Sequence, residues 1–178
     1  MQRILVTGST GAGKTTLARA LAERLALPFH EMDALAFSGP GWQQNPHLVP
    51  DVARISSGPA WVFDSLGYPE VRDRLWSAAD TVVWLEYSRA VVMRRVLRRS
   101  AVRTLLRRRI FGGNVETFRA WFKADHPAWW AWVQYDARRA EIAARCGSDR
   151  FAPLDVIRLG TPRAARDWLR SVPAAPAR

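Results

Sequence analysis

The chain has 178 residues, 48% of them apolar, which suits one domain with a substantial core and excludes wholesale disorder. It carries 27 basic residues against 16 acidic ones, a net charge of +11, so anionic partners are expected: phosphates, polyphosphates or nucleic acid. The lone cysteine, Cys146, excludes an internal disulfide and a cysteine-built metal site; with no run long enough for a membrane span and no leader before the first strand, a cytoplasmic protein is expected.

Arg3-Ile4-Leu5-Val6 reads as a buried parallel strand. Gly8-Ser9-Thr10-Gly11-Ala12-Gly13-Lys14-Thr15 then fits G-x-x-x-x-G-K-[ST], the phosphate-binding loop. Its glycines let backbone N–H groups turn inward as an anion nest, and the helix that follows adds the positive end of its dipole. Lys14 is expected to reach the β/γ-phosphates and the Thr15 hydroxyl to ligate Mg²⁺, with Thr16 completing the nucleotide-binding stretch. Leu17, Ala18, Leu21, Ala22 and Leu25 repeat at helical spacing, so strand, loop and helix stand in the required order.

Residues 27–33 read as a second strand ending in Glu31 and Asp33, whose side chains then share one strand face. Residues 36–50 hold five Gly or Pro and read as loop, with Trp42 packing over a pocket or the sheet edge; a short helix follows from Asp51 to Ser57. The third strand, 60–64, closes on Asp64. Pro69 opens a helix to about Ser77, and 81–86 forms a buried fourth strand. Ser88 caps a long helix from Arg89 to about Leu106. Gly112 and Gly113 read as a hinge, and Asn114 as the cap of a helical piece from Glu116 to Ala124. A further helix runs from about Asp125 to Cys146. Residues 154–159 are the last strand, Gly160-Thr161-Pro162 a loop, and 163–171 a final amphipathic helix before a frayed tail. Strands alternating with helices argue an α/β fold, a parallel sheet with helices on both faces and ligands at the carboxyl ends of its strands.

Three constellations carry chemistry beyond the loop. Asp64 ends an apolar strand, as expected of a carboxylate that serves Mg²⁺, or else caps the turn at 65–68. Asp33 stands where an acceptor hydroxyl would be positioned or deprotonated, or is a solvated turn acid; Glu31 serves the metal's outer shell or is simply exposed. Nine arginines fall between Arg89 and Arg109, and no acid lies between Glu86 and Glu116. That is unlike a solvated helix face, which mixes signs, and suits a lid of about residues 98–125 closing over phosphates. Arg95 and Arg99, four apart on one face, are the favoured pair; Arg94 and Arg98 form the other. Nucleic-acid contact is the competing use of this segment. The aromatics Trp121, Phe122, Trp129, Trp130 and Trp132 read as core or lid packing, and His126 as a helix-start residue.

Gly8 to Thr15, His30-Glu31-Met32-Asp33, Trp61-Val62-Phe63-Asp64, Thr81-Val82-Val83-Trp84-Leu85 and the arginine helix with Gly113-Asn114-Val115-Glu116-Thr117 resemble the small bacterial P-loop proteins of the adenylate-kinase-like group, often called DNA topology modulation proteins. The resemblance covers most of residues 1–170. It implies a three-layer P-loop NTPase fold with a five-stranded parallel sheet, order 2-3-1-4-5, a helical lid, ATP as donor, and Gly160-Thr161-Pro162 beside the adenine. Glu31-Met32-Asp33 also resembles the Asp-x-Asp of shikimate kinases, whose second acid meets the acceptor hydroxyl; here the first acid is Glu. Asp64-Ser65-Leu66-Gly67-Tyr68 departs from the Asp-Gly-Asn-Tyr of the topology-modulation relatives.

The expectation is therefore one nucleotide-binding domain over 1–178, an ATP- and Mg²⁺-dependent phosphotransferase on a small hydroxyl- or phosphate-bearing acceptor such as a nucleoside or nucleotide. Lys14, Asp33, Arg95 and Arg99 are its expected catalytic residues, and Thr15 and Asp64 its metal ligands. A nucleotide-dependent nucleic-acid binder, or an ATP binder without turnover, are the alternatives.

Overall fold

A computed structural model describes residues 1–39, 43–105, 109–110, 114–115, 129, 132–151 and 153–175. Five parallel strands form the sheet: β1 (Arg3–Gly8), β2 (Phe29–His30), β3 (Trp61–Phe63), β4 (Thr81–Leu85) and β5 (Asp155–Leu159), in spatial order β2-β3-β1-β4-β5. This is the expected order 2-3-1-4-5. Register is strict across the centre: Gly8 faces Leu85, which faces Leu159, so the strands end level with one another.

Period-two alternation decides the layers. Ile4, Val6, Val62, Val83 and Leu85 point to one face and pack on α1 (Lys14–Leu25), α5 (Arg89–Leu105) and α7 (Pro162–Ser171). Leu5, Trp61, Phe63, Val82 and Trp84 point to the other and pack on α3 (Leu48–Ser56), α4 (Pro69–Ala78) and α6 (Tyr135–Cys146). Strands buried on both faces read as unbroken apolar runs, which is why β4 is entirely buried.

Several expected boundaries move. The second strand stops at His30. Met32 is buried, and the chain turns at Glu31 into a short helix, α2 (Met32–Ala36), with Asp33 in its first turn. Glu31 and Asp33 thus do not share a strand face: β2 is an edge strand held to β3 by two residue pairs, too short to carry them. Within 36–50, expected as loop, Phe37–Gly39 pairs antiparallel with Gln43–Gln44, and α3 begins at Leu48 rather than Asp51. Pro50 falls in that helix's first turn, where a missing N–H costs no intrahelical bond. Trp42 lies outside the described residues.

Arg109–Ile110 pairs antiparallel with Asn114–Val115, so Asn114 sits in a ladder and not at a helix start. Gly112, Gly113, the helical piece at 116–124, Trp121, Phe122, His126 and Trp130 lie outside the described residues. Trp129, Trp132 and Val133 are helical, a turn at Gln134 follows, and α6 runs on from Tyr135; the start expected at Asp125 lies outside the described residues. Of the expected core or lid packing, Trp129 and Trp132 do not show the first, since both are exposed; the Trp132 ring receives the Arg89 guanidinium 4.8 Å from its centroid. The tail is tied as far as Ala175, whose N–H donates to the Arg24 carbonyl at 2.9 Å, while Val172 is buried. No helix among the described residues is long and apolar enough to cross a membrane.

Candidate functional site

The carboxyl ends of β1, β2 and β3 converge on one rim, and the loop from Gly8 to Lys14 lies across it. Gly8 has φ +146° and a Cβ there would stand 2.7 Å from the Leu85 carbonyl oxygen; Gly11 has φ +85° and a Cβ would meet a Val96 methyl at 2.2 Å. Both positions demand glycine for conformation and for space. The loop is thus pressed between β4 and α5. Helix α1 starts after Gly13, with no side chain capping its first N–H groups and no acid in its first turn. Those donors and the helix dipole therefore face the loop's concavity without a resident carboxylate competing for them.

Lys14 donates to the Ser9 carbonyl at 3.2 Å. Its surface keeps some solvent contact, yet enough protein surrounds the ammonium to desolvate it. Burial is the main cause that lowers its pKa from 10.5 to about 8, followed by Arg138; Asp33 and Asp64 push the other way, and Arg99 adds a further lowering. One ammonium thus gathers two carboxylates and two guanidinium groups within electrostatic reach.

Asp64 is buried, and both of its oxygens are used. One accepts the Thr15 hydroxyl at 2.5 Å, the other the Met32 N–H at 2.9 Å. The alternative reading of Asp64 as a cap for the turn fails, because Ser65 supplies that bond, its Oγ accepting the Gly67 N–H at 2.9 Å. The Met32 bond also explains α2: the end of β3 anchors the chain just after Glu31 and turns it inward. Asp33 is exposed on this helix, and the Tyr68 hydroxyl donates to its Oδ1 at 3.1 Å. Burial, then the charge of Asp33 and the hydrogen bond to it, raise the Tyr68 pKa, so the phenol stays protonated and a donor. Glu31 lies 3.4 Å from Arg19.

The favoured arginine pair separates from its neighbours. Arg95 donates to the Ala12 carbonyl at 2.7 Å and lies over the Tyr87 ring at 5.3 Å. Arg99, one turn on, is half-buried, whereas Arg94 and Arg98 are exposed. Arg95 therefore stands on the loop's outer wall, while Arg99 is the one of the pair that acts on Lys14. Arg103, Arg107, Arg108 and Arg109 give no side-chain description. Glu86, at the end of β4, is taken by Arg139 at 2.9 Å and Arg158 at 2.8 Å. In the stretch 160–162, Thr161 caps α7, its Oγ1 accepting the Ala164 N–H at 3.1 Å, and Pro162 is the first helical residue, so only Gly160 remains loop.

Two residues were not singled out from sequence. In the sequence Tyr68 reads only as part of a turn. Arg138 lies on α6 in the 3-4-3 row Tyr135, Arg138, Ile142, Arg145, whose Tyr135 and Ile142 are buried. An arginine on the inward face of an amphipathic helix was the legible signal. Burial, then Arg72, lowers the Arg138 pKa, with Glu141, Asp33 and Tyr68 opposing, and its Nε donates to Gln134 at 3.2 Å. Arginine remains charged under such shifts. Ion pairs from Arg72 to Glu141, and from Arg145 to Asp73 at 2.8 Å, bind α6 to α4 and hold Arg138 over the rim.

The Thr15 hydroxyl and the Asp64 carboxylate are hard oxygen donors already in contact, a set that fits Mg²⁺. No larger group of His, Cys, Asp or Glu suited to a metal occurs among the described residues. The strand order, the glycine-built cradle and this pair define the fold as that of P-loop NTPases. The family described as "ATPase family associated with various cellular activities (AAA)" matches residues 4–63, the span from β1 through β3. Among solved structures, shikimate kinase from Acinetobacter baumannii in complex with shikimate is 17% identical, covering 97% of this chain and 90% of its own with a TM-score of 0.55. A gluconokinase from Sinorhizobium meliloti is also 17% identical, covering 95% of this chain and 91% of its own with a TM-score of 0.50. At such identities the likeness is one of fold. No curated protein matches the chain.

Proposed function

We propose that the chain is an ATP- and Mg²⁺-dependent phosphotransferase of the adenylate-kinase-like kind, acting on a small acceptor through a hydroxyl or phosphate oxygen. The observation that carries this reading is the grouping around Lys14: the Thr15–Asp64 pair on one side, and Asp33 with Arg138 on the other. A site that only recognised a nucleotide would have no use for the second half.

In this reading Gly8 to Thr16 cradle the phosphates, Lys14 neutralises their β/γ charge, and Thr15 with Asp64 would hold Mg²⁺. When bound, Mg²⁺ supplies charge neutralisation across the β- and γ-oxygens. Asp33 orients the acceptor oxygen and takes its proton, with the Tyr68 hydroxyl fixing the carboxylate. Arg99 and Arg138 stabilise charge on the transferred group, and Arg95 steadies the loop's carbonyl wall. The unit comprises 1–178 with a lid at about 98–125, and Gly160 borders the adenine. The neighbours in fold include a shikimate kinase and a gluconokinase, which supports the reading.

The test is a screen of nucleosides, nucleotides, sugars and oligonucleotides as acceptors, read as ADP release. Lys14→Ala is expected to abolish release while the fold survives; unchanged turnover in that variant would overturn the proposal. A second reading, nucleic-acid binding through α5, is favoured by the exposed Arg94 and Arg98. It requires steeply salt-dependent binding of DNA or RNA, and absence of binding at low salt removes it.

A further inference from the structure

Helix α6 reaches the rim with its first turns, and Arg138 is the charge it brings there. Tyr135 lies three residues earlier on the same face of that helix. Its ring is buried beneath the Arg89 guanidinium, 5.0 Å from the centroid, and its hydroxyl donates to the Tyr87 carbonyl at 2.7 Å. Strand β4 ends at Leu85, so that carbonyl stands past the strand's ladder. Burying a ring has no direction, and phenylalanine would do it equally well. The hydroxyl adds a bond of set length and angle, which fixes how deep the start of α6 sits over the sheet.

Tyr87 is engaged at two places. Its backbone takes Tyr135, while its ring lies 5.3 Å from the Arg95 guanidinium, the group that bonds the Ala12 carbonyl of the phosphate loop. The loop and α6 are thus both referred to one buried residue. Arg139 also ties α6 to this end of β4, pairing with Glu86 at 2.9 Å, but its half-exposed side chain makes a weaker anchor. Arg138 has no such tie of its own. Among the described residues, the one hydrogen bond of its guanidinium goes to Gln134, at the start of the same helix, so its place beside Lys14 is inherited from α6.

We infer that Tyr135 is a positioning residue, whose bond to the Tyr87 carbonyl sets where α6 carries Arg138 relative to the phosphate loop. The inference rests on the phosphotransferase reading for the part Arg138 plays in transfer. Tyr135→Phe, Arg138→Met and the double variant of the full chain test it. The first readout is calorimetric affinity for Mg²⁺·ADP with aluminium fluoride, a mimic of the transferred group, against ADP alone. The second is kcat and KM for ATP with the acceptor that the screen yields. Tyr135→Phe is expected to lower fluoride-complex affinity and kcat about 10-fold, with ADP affinity and KM unchanged, since a 1 Å misplacement costs up to about 10²-fold. In the Arg138→Met background the same change should move neither by more than about 2-fold, whereas the melting temperature falls equally in both backgrounds. Tyr135→Phe or Arg138→Met behaving as wild type would overturn the inference. So would equal losses from Tyr135→Phe in the two backgrounds, which is what a merely structural bond gives. A wild type that transfers to no acceptor sinks the phosphotransferase reading alone, and the fluoride-complex cycle still decides on Tyr135. A wild type that binds the fluoride complex no tighter than ADP overturns both.

Discussion

The burial of Lys14 leaves an electrostatic signature with a definite sign. With its pKa lowered to about 8, the ammonium is partly deprotonated in mildly alkaline buffer, whereas a phosphate needs it charged. ATP binding should therefore take up a proton above pH 8. Affinity is expected to be flat from pH 6.5 to 7.5 and to fall by up to about tenfold per unit above pH 8. Titrations between pH 6.5 and 9.5 check this, and Lys14→Arg, which stays charged, should flatten the profile. The same shift acts on stability in a definite direction. The fold disfavours the charged lysine, so that penalty is fully present below pH 8 and fades as pH rises from 8 towards 10.5. Asp64 gives a different prediction. Asp64→Ala leaves the buried Met32 N–H without its acceptor, which costs roughly 1–3 kcal/mol of stability. Urea unfolding measures that cost, and loss of Mg²⁺-dependent turnover in the same variant would separate the two roles. At this scale the loop was legible because each of its residues has a local reason. Tyr68 and Arg138 were not, because their roles exist only once α4 and α6 meet at the rim.

Helix α5 packs directly against the phosphate loop, and this is a contact between elements rather than residues. Val92, Val96 and Arg95 all touch it: the first two close the space over Gly11, and Arg95 holds the Ala12 carbonyl. Gly11→Ala should therefore fail twice, once through a left-handed backbone that costs an L-residue roughly 1–2 kcal/mol and once through the clash with Val96. Val96→Ala in the same chain removes the second fault only. Thermal melts of the single and double variants are expected to show partial recovery; full recovery would mean that backbone strain is absent. Helix and strand identities were readable from periodicity, since the sheet's alternation and the helices' apolar rows are set by burial. What could not be read was where β2 yields to α2. That boundary depends on Asp64 reaching across from β3 to bond the Met32 N–H, 32 positions away in sequence. The ladder at Asn114 was missed for a related reason: a pairing of two residues leaves no period to detect.

Among the described residues, two groups of arginines stand out. Some arginines are consumed structurally: Arg72, Arg145, Arg139 and Arg158 pair with acids between α4, α6, β4 and β5. Arg99 and Arg138 instead stand near Lys14, where a bound polyanion would relieve their mutual repulsion. Saturating ATP·Mg²⁺ should accordingly raise the melting temperature; at 100 times Kd the gain is about 2.7 kcal/mol, which at this size is several degrees. The rise should be smaller at 1 M salt, which screens the partly exposed charges. The fold class was legible from the whole sequence because the strand–helix alternation admits few topologies, whereas the sheet order was implied only by the resemblance to the adenylate-kinase-like group. The cavity lined by Phe37, Leu48 and Tyr68 was not legible, since it is assembled from the 37–39 ladder, the start of α3 and Tyr68, segments that individually read as loop or turn.

A rim that transfers a phosphoryl group differs measurably from one that merely holds ATP. The most direct measurement is transfer of γ-labelled phosphate to an acceptor by the wild type and by Asp33→Asn, with ATP affinity determined for both. Phosphoryl transfer through Asp33 predicts label on the acceptor in the wild type, and a loss of roughly 10²–10⁴-fold in the variant at unchanged ATP affinity. Label appearing only as inorganic phosphate, at equal rates in the two proteins, would contradict it.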